Sequence, residues 1–140
     1  MILVDTNVVS DGMRPRPDLA VAKWLDNQPW DSLYLCTPVL AELRYGIELL
    51  PDSRRKRFLH DAVDLIENEF YRGRILSFDV PAVSHYARLS VVREQEGRRM
   101  DQMDAIIAAI AAAHGATIAT RDIDGFSGLD LNVINPFDLP

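Results

Sequence analysis

Short apolar runs that end abruptly, each followed by a helix-length pattern, constrain this chain more than any other feature. Residues 1–4 (MILV), 33–36 (LYLC), 75–78 (ILSF) and 116–119 (ATIA) have strand length and little alternation. Such runs suit strands covered on both faces, as in a parallel sheet. A short fifth run spans residues 131–134. Between them the spacing predicts helices. Thr6 or Asn7 caps a short helix through Val9. Asp18 caps one that ends at Asn27 and carries Leu19, Val21, Ala22, Trp24 and Leu25. Thr37 caps a helix with Pro38 at its first position and Val39, Leu40, Leu43, Ile47 and Leu50 inward, ended by Pro51. A further helix starts at Asp52 or Ser53, with Phe58, Leu59, Ala62, Val63, Leu65 and Ile66 at helical spacing. Asp79 caps the next, which opens with Pro81, carries Val83, Tyr86, Ala87, Leu89 and Val91, and ends near Gly97. Residues 101–114 form the last, closed by Gly115. Its AIIAAIAAA stretch is apolar on nearly every side and is expected to be buried. Strands alternating with helices imply an α/β fold whose sheet is mainly parallel and flanked by helices, in a single domain over residues 1–140.

Composition narrows the function classes. Hydrophobic residues make up 48% of the chain, which is globular rather than disordered composition. No apolar run approaches the roughly 20 residues of a membrane span, and no basic segment precedes the first apolar run, so the expected location is cytoplasmic. Cys36 is the single cysteine. It excludes an intramolecular disulfide, argues against a cysteine-built zinc site, and reads as core within LYLC. The net charge of −6 argues against a protein that coats nucleic acid. Arg54, Arg55, Lys56 and Arg57 form a basic cluster that reads either as a local patch or as a solvated helix face.

In parallel sheets ligands bind beyond the carboxyl ends of the strands. Asp5 ends the first strand, and Asp122 lies just past the fourth in ATRDIDGF. Glu42 sits one turn into the helix after the second strand, and Asp104 sits in the first turn of the buried helix. All four carboxylates are placed to converge at one sheet edge. Carboxylates brought together repel, so one takes a proton or all share a cation. Without cysteine or paired histidine, the cation such a set suits is hard and divalent: Mg²⁺, Mn²⁺ or Ca²⁺. Each acid also has a structural reading. Asp5 serves as a helix cap, Glu42 as partner of Arg44 or Lys23, Asp104 as a cap in competition with Asp101, and Asp122 as a turn residue that Asp124 could replace. Thr6, Asn7 and Thr120 are placed to support Asp5, and Arg121 is either a phosphate ligand or a surface arginine.

At these residues the chain resembles the PIN domains, in particular the VapC-type toxins of toxin–antitoxin operons and their FitB-like branch. The resemblance rests on VDTNV (4–8), PVLAELRYGIELL (38–50), DAIIAAIAAAHG (104–115), TIATRDIDGF (117–126) and the closing LNVINPF. It implies a three-layer α/β/α sandwich and an acidic quartet of Asp5, Glu42, Asp104 and Asp122, with Thr6, Asn7 and Thr120 lining the site. It further implies Mg²⁺- or Mn²⁺-dependent cleavage of RNA, a homodimer, and a cognate antitoxin whose tail places a basic residue in the pocket. Operator DNA would be reached only through that antitoxin. Two rivals remain at this point. A haloacid-dehalogenase-like phosphatase would need an acid where Asn7 stands, and a non-catalytic module would use the acidic pocket only to hold a partner. A receiver domain is weaker still, because the last lysine is Lys56.

Overall fold

A computed structural model describes residues 1–139. The elements follow in the order β1 (Ile2–Val4), α1 (Thr6–Gly12), α2 (Leu19–Asp26), β2 (Leu33–Cys36), α3 (Thr37–Glu48), α4 (Arg54–Leu65), β3 (Ile75–Leu76), α5 (Val80–Gln95), α6 (Gln102–His114), β4 (Thr117–Ala119) and β5 (Val133–Ile134). All pairings are parallel, and the strand order is β3-β2-β1-β4-β5. The chain therefore builds outward from β1 in one direction, then returns to lay β4 on its other side. The reversal between β1 and β4 opens a crevice at their carboxyl ends, the place where α/β sheets bind ligands. Register places Val4 opposite Ala119, so Asp5 and Thr120 emerge side by side into that crevice.

The expected elements are present, with instructive differences at their ends. Asp5 itself caps α1: its Oδ1 accepts the Thr6 N–H at 2.8 Å, and the helix continues to Gly12. Thr6 and Asn7 are thus inside the helix, and their side chains are free for other work. Helix α3 already includes Thr37, with Cys36 in the cap position and no side-chain cap. Asp79 likewise precedes α5 without bonding it. A proline in the first turn of each helix removes one donor that would need a cap. Strands β3 and β5 are two residues long, shorter than expected, as suits edge positions with a partner on one side only. Helix α4 is capped by Ser53 and runs on into a π-helical turn, Ile66–Phe70. Gly115 ends α6 with φ 63°, a conformation that glycine adopts without steric cost.

The core lies on both faces of the sheet. Leu3, Leu35 and Ile118 are fully buried, as are Ile107, Ala108, Ala109, Ile110 and Ala111 of α6. Cys36 is core as expected, and burial pushes its thiol up to about 12, far from a nucleophile's range. Helix α5 has apolar residues on two sides. Its inward face is Ala82, Leu89 and Arg93, while Val83, Ala87 and Val91 face outward with Val80. Arg54, Arg55 and Arg57 are exposed, and Lys56 folds back onto the carbonyls of Glu48 and Leu50. Among the described residues no helix is long and apolar enough to cross a membrane.

Cavity formation in this core should be costly. Ile107→Ala, at a fully buried position, is expected to lose about 2–5 kcal/mol in chemical denaturation. Leu19→Ala, at a position 86% exposed on α2, should change stability by less than about 0.5 kcal/mol. Similar losses at the two sites would contradict the assignment of the core.

Candidate active site

Thr120 is the junction of the crevice. It is fully buried, and its Oγ1 donates to Asp5 Oδ2 at 2.8 Å. The same oxygen accepts from Asn7 Nδ2 and from the Asp122 N–H, each at 3.1 Å. Asn7 Oδ1 then accepts the Arg121 N–H at 3.0 Å. The first turn of α1 is in this way sewn to the segment after β4. On the other side, Thr6 Oγ1 donates to Glu42 Oε1 at 2.7 Å. The residues that close the α1 turn therefore orient two carboxylates from different elements. Asn7 has both ends of its amide in this work, a linking role rather than the acid–base role a phosphatase would need.

The four acids differ in exposure. Asp5 is buried, Glu42 and Asp104 are half-buried, and Asp122 is exposed. Burial raises the carboxyl of Asp5 above its ordinary value, against the bonds from Thr120 and Thr6, and the charge of Asp122 raises it further. Burial likewise raises Glu42 against its Thr6 bond, with Asp5 and Asp101 adding repulsion. Asp104 is pushed up to about 7, first by burial and then by Asp5, Asp101, Asp122 and Glu42. All four expected acids are thus electrostatically linked. Asp124 is exposed and does not act on these three.

Several structural readings are resolved by geometry. Arg44 pairs with Asp64 and Glu67, leaving Glu42 without a cation. Asp101 is the cap of α6, with Oδ2 accepting from the N–H groups of Met103 and Asp104, so the Asp104 carboxyl is not tied to its own helix end. Asp122 does serve a turn: Oδ1 accepts the Gly125 N–H at 3.2 Å and caps the short 3-10 helix Ile123–Phe126. Its Oδ2 points elsewhere. A Cβ on Gly125 would lie 2.8 Å from Asp122 Oδ2 and 3.0 Å from Asp104 Oδ2. The two oxygens converge on one small volume that only glycine leaves open.

Three contributors escaped the sequence reading. Gly125 is one, and Asp101, expected only as a cap, adds its charge to the site. Arg93 is the third. It is 6% exposed, and its Nε donates to the Arg98 carbonyl at 2.9 Å. One terminal nitrogen donates to the carbonyls of Gly125 and Ser127 at 3.0 and 3.2 Å. Gly125 is thereby held through its carbonyl by Arg93 and through its N–H by Asp122. The available signal was an arginine four residues after Leu89, in register with Ala82 and Leu89 on the inward face of α5.

The donor set fits a hard divalent ion. Every candidate offers carboxylate oxygen, and among the described residues no Lys, Arg or His forms an ion pair with Asp5, Glu42, Asp104 or Asp122. Among the described residues no three His, Cys, Asp or Glu side chains stand close enough together to hold a metal ion between them. An ion such as Mg²⁺ commonly binds through only one or two carboxylates and keeps several waters.

Comparison with known proteins bears on this site. The profile described as "PIN domain" matches residues 2–131. The toxin FitB of Neisseria gonorrhoeae is 39% identical over 137 residues, covering 98% of this chain and 99% of that one. The VapC ribonuclease Y4jK of Sinorhizobium fredii is 37% identical over 138 residues, covering 99% of each. Among solved structures, that of FitAB bound to an IR36 DNA fragment superposes with a TM-score of 0.93 at 38% identity, covering 100% of this chain and 98% of its counterpart.

The raised carboxyls set the pH dependence of the metal-free protein. Asp104 titrates near 3.8 when unfolded and about 7 when folded. Between those values the folded state holds more protons, so raising pH across this window removes stability. In EDTA the melting temperature should fall as pH rises from about 5 to about 7.5, and Asp104→Asn should flatten the fall and melt higher than the parent at the upper end. A variant that melts lower than the parent there would contradict the repulsion.

Proposed function

The chain belongs to the PIN domain family, and from that premise we propose that it is the toxin of a type II toxin–antitoxin system, a divalent-metal-dependent endoribonuclease held inactive by a cognate antitoxin. The observation that carries this reading is the set of four linked carboxylates without a cation at the β1–β4 crevice. Asp5, Glu42 and Asp104 would hold the ion directly or through water, and Asp122 would complete the site. Mg²⁺ is the preferred ion and Mn²⁺ the substitute. When bound, the ion supplies an activated water and offsets charge on the phosphodiester.

The chain's own residues do the rest. Thr120 and the Thr6 N–H fix the orientation of Asp5, and the Thr6 hydroxyl fixes Glu42. Asp104, pushed up to about 7 without metal, is about half protonated at neutral pH, and ion binding would displace that proton. Cleavage would leave a 5′-phosphate and a 3′-hydroxyl. The site opens beyond the strand ends, where an RNA strand can cross it.

The partners follow the same reading. An apolar groove of about 740 Å³ beside α1 and α4, lined by Val9, Met13, Phe58, Leu65 and Phe70 with Arg14, Arg54 and Arg55, is the surface we assign to the antitoxin. That partner would carry the operator-DNA contact and bring a basic residue to the acids. A second copy of this chain would cover the outward stripe of α5, where Val80 is 84% exposed. The cell compartment implied is the cytoplasm, where RNA and antitoxin are met.

Cleavage of cellular RNA by the purified chain tests the reading. The parent should cut with Mg²⁺ or Mn²⁺, and EDTA should stop it. Asp5→Asn should cut on the order of 100-fold more slowly. Asp122→Asn should lose far more activity than Asp124→Asn. Cleavage by Asp5→Asn at the parent's rate would remove the assignment.

A further inference from the structure

Arg121 stands between the buried junction Thr120 and the acid Asp122, and its backbone is pinned on both sides. Its N–H bonds Asn7 Oδ1 at 3.0 Å, and its carbonyl accepts from Asn135 Nδ2 at 3.4 Å. The side chain lies on an aromatic ring, with Cζ 3.7 Å from the Phe137 ring centre. Phe137 is itself fixed: its N–H donates to Asn135 Oδ1 at 3.0 Å, and its ring packs against the core. The chain after β5 thus makes a seat for one arginine beside the acidic crevice.

What Arg121 does not do is equally informative. Among the described residues its guanidinium donates no hydrogen bond and enters no ion pair, although the chain carries a net charge of −6. Arg74, also set over rings, gives its donors to the carbonyls of Leu33 and Phe70. Arg121 is exposed and gives none. Stacking through the flat face holds a guanidinium in place while leaving the edge of its donor fork free. A free planar fork matches the paired oxygens of a phosphate. Such a phosphate must approach four carboxylates that repel it, and a fixed cation one residue from Asp122 offsets that repulsion.

We infer that Arg121, seated on Phe137, is a phosphate-binding subsite that grips the backbone of the RNA strand next to the point of cleavage. The inference rests on the ribonuclease reading and deepens it: Arg121 contributes binding of the strand, whereas the acids contribute the chemistry. The contact carries no base information, so its loss should weaken all RNA sequences alike.

Two measurements on the full chain test it. Cleavage of a fluorescent single-stranded RNA with Mg²⁺ gives KM and kcat over a range of KCl. Anisotropy in an Asp104→Asn background reads binding of the same RNA without turnover. Arg121→Ala should raise KM and weaken binding about tenfold, leave kcat within about twofold, and make the salt dependence shallower by about 0.7 in log–log slope. Arg121→Lys should restore that slope but only part of the affinity, since ammonium lacks the fork. Phe137→Leu should keep the slope and lose part of the affinity, and thermal melting checks that each variant folds. Unchanged KM and binding in Arg121→Ala would overturn the subsite, as would a fall in kcat at constant KM. Weakened affinity for a poly-glutamate peptide with unchanged affinity for RNA would overturn it in favour of a protein partner. Failure of the two readings is separable: RNA binding that depends on Arg121 in a chain that never cleaves removes the nuclease reading and leaves the subsite standing.

Discussion

The hydrogen bond from Thr120 to Asp5 is the constraint on which the crevice depends. A parallel register brings Val4 and Ala119 level, and the Asp5 N–H extends the ladder by one bond to the Ala119 carbonyl at 2.9 Å. The next residues on the two strands must then face each other in a dry place. A carboxylate there would be costly if unpaired. The threonine hydroxyl donates to it, and still accepts from Asn7 and from the Asp122 N–H. Valine has the same shape and would leave all three groups without that partner, so the hydroxyl, not the size, is what the position requires.

Pairing makes one buried acid tolerable, yet three carboxyls remain raised above their ordinary values. Asp104 shows which effect wins. It lies in the first turn of α6, where the helix dipole favours a negative charge by about 0.3–1 kcal/mol. Its carboxyl is nonetheless pushed up, so burial and four neighbouring carboxylates outweigh the dipole. Repulsion of this sort would move a loosely packed element. Helix α6 resists because Ile107, Ala108, Ala109, Ile110 and Ala111 are fully buried behind Asp104, and small alanines let neighbours approach closely. The apolar core holds the acids where they do not want to be, and a divalent ion is the natural relief.

Much of this was legible in the sequence because it is governed by local pattern. The runs 1–4, 33–36 and 116–119 lie within a residue of β1, β2 and β4, and the strand-end rule led from them to Asp5, Glu42, Asp104 and Asp122. On helix α5 the apolar spacing left open which face is buried. Its apolar Val80, Val83, Ala87 and Val91 lie outward, while an arginine occupies the inward face. Hydrophobic spacing alone does not say which apolar face of a helix is the buried one. Caps were misplaced by one residue where a strand runs straight into a helix, at Asp5 and Cys36, since no loop separates the two. Gly125 and the charge of Asp101 at the site depend on what lies across the crevice, which no local pattern encodes.

Arg93 shows how the two kinds of information meet. A buried cation without a carboxylate partner is unfavourable, and Asp122 and Asp104 both flank the glycine that Arg93 bonds. Pairing Arg93 with Asp122 directly would relieve both, but it would also neutralise an oxygen aimed at Asp104. The chain instead directs Arg93 to the carbonyls of Arg98, Gly125 and Ser127. It holds Gly125 through its carbonyl, while the Gly125 N–H, in the preceding peptide, bonds Asp122 Oδ1, so Arg93 fixes the glycine without touching the acid. Asp122 Oδ2 stays free beside Asp104, across the space that Gly125 leaves open. The cation thus stabilises the arrangement of the acids without occupying the place that an ion or a basic residue from a partner would take.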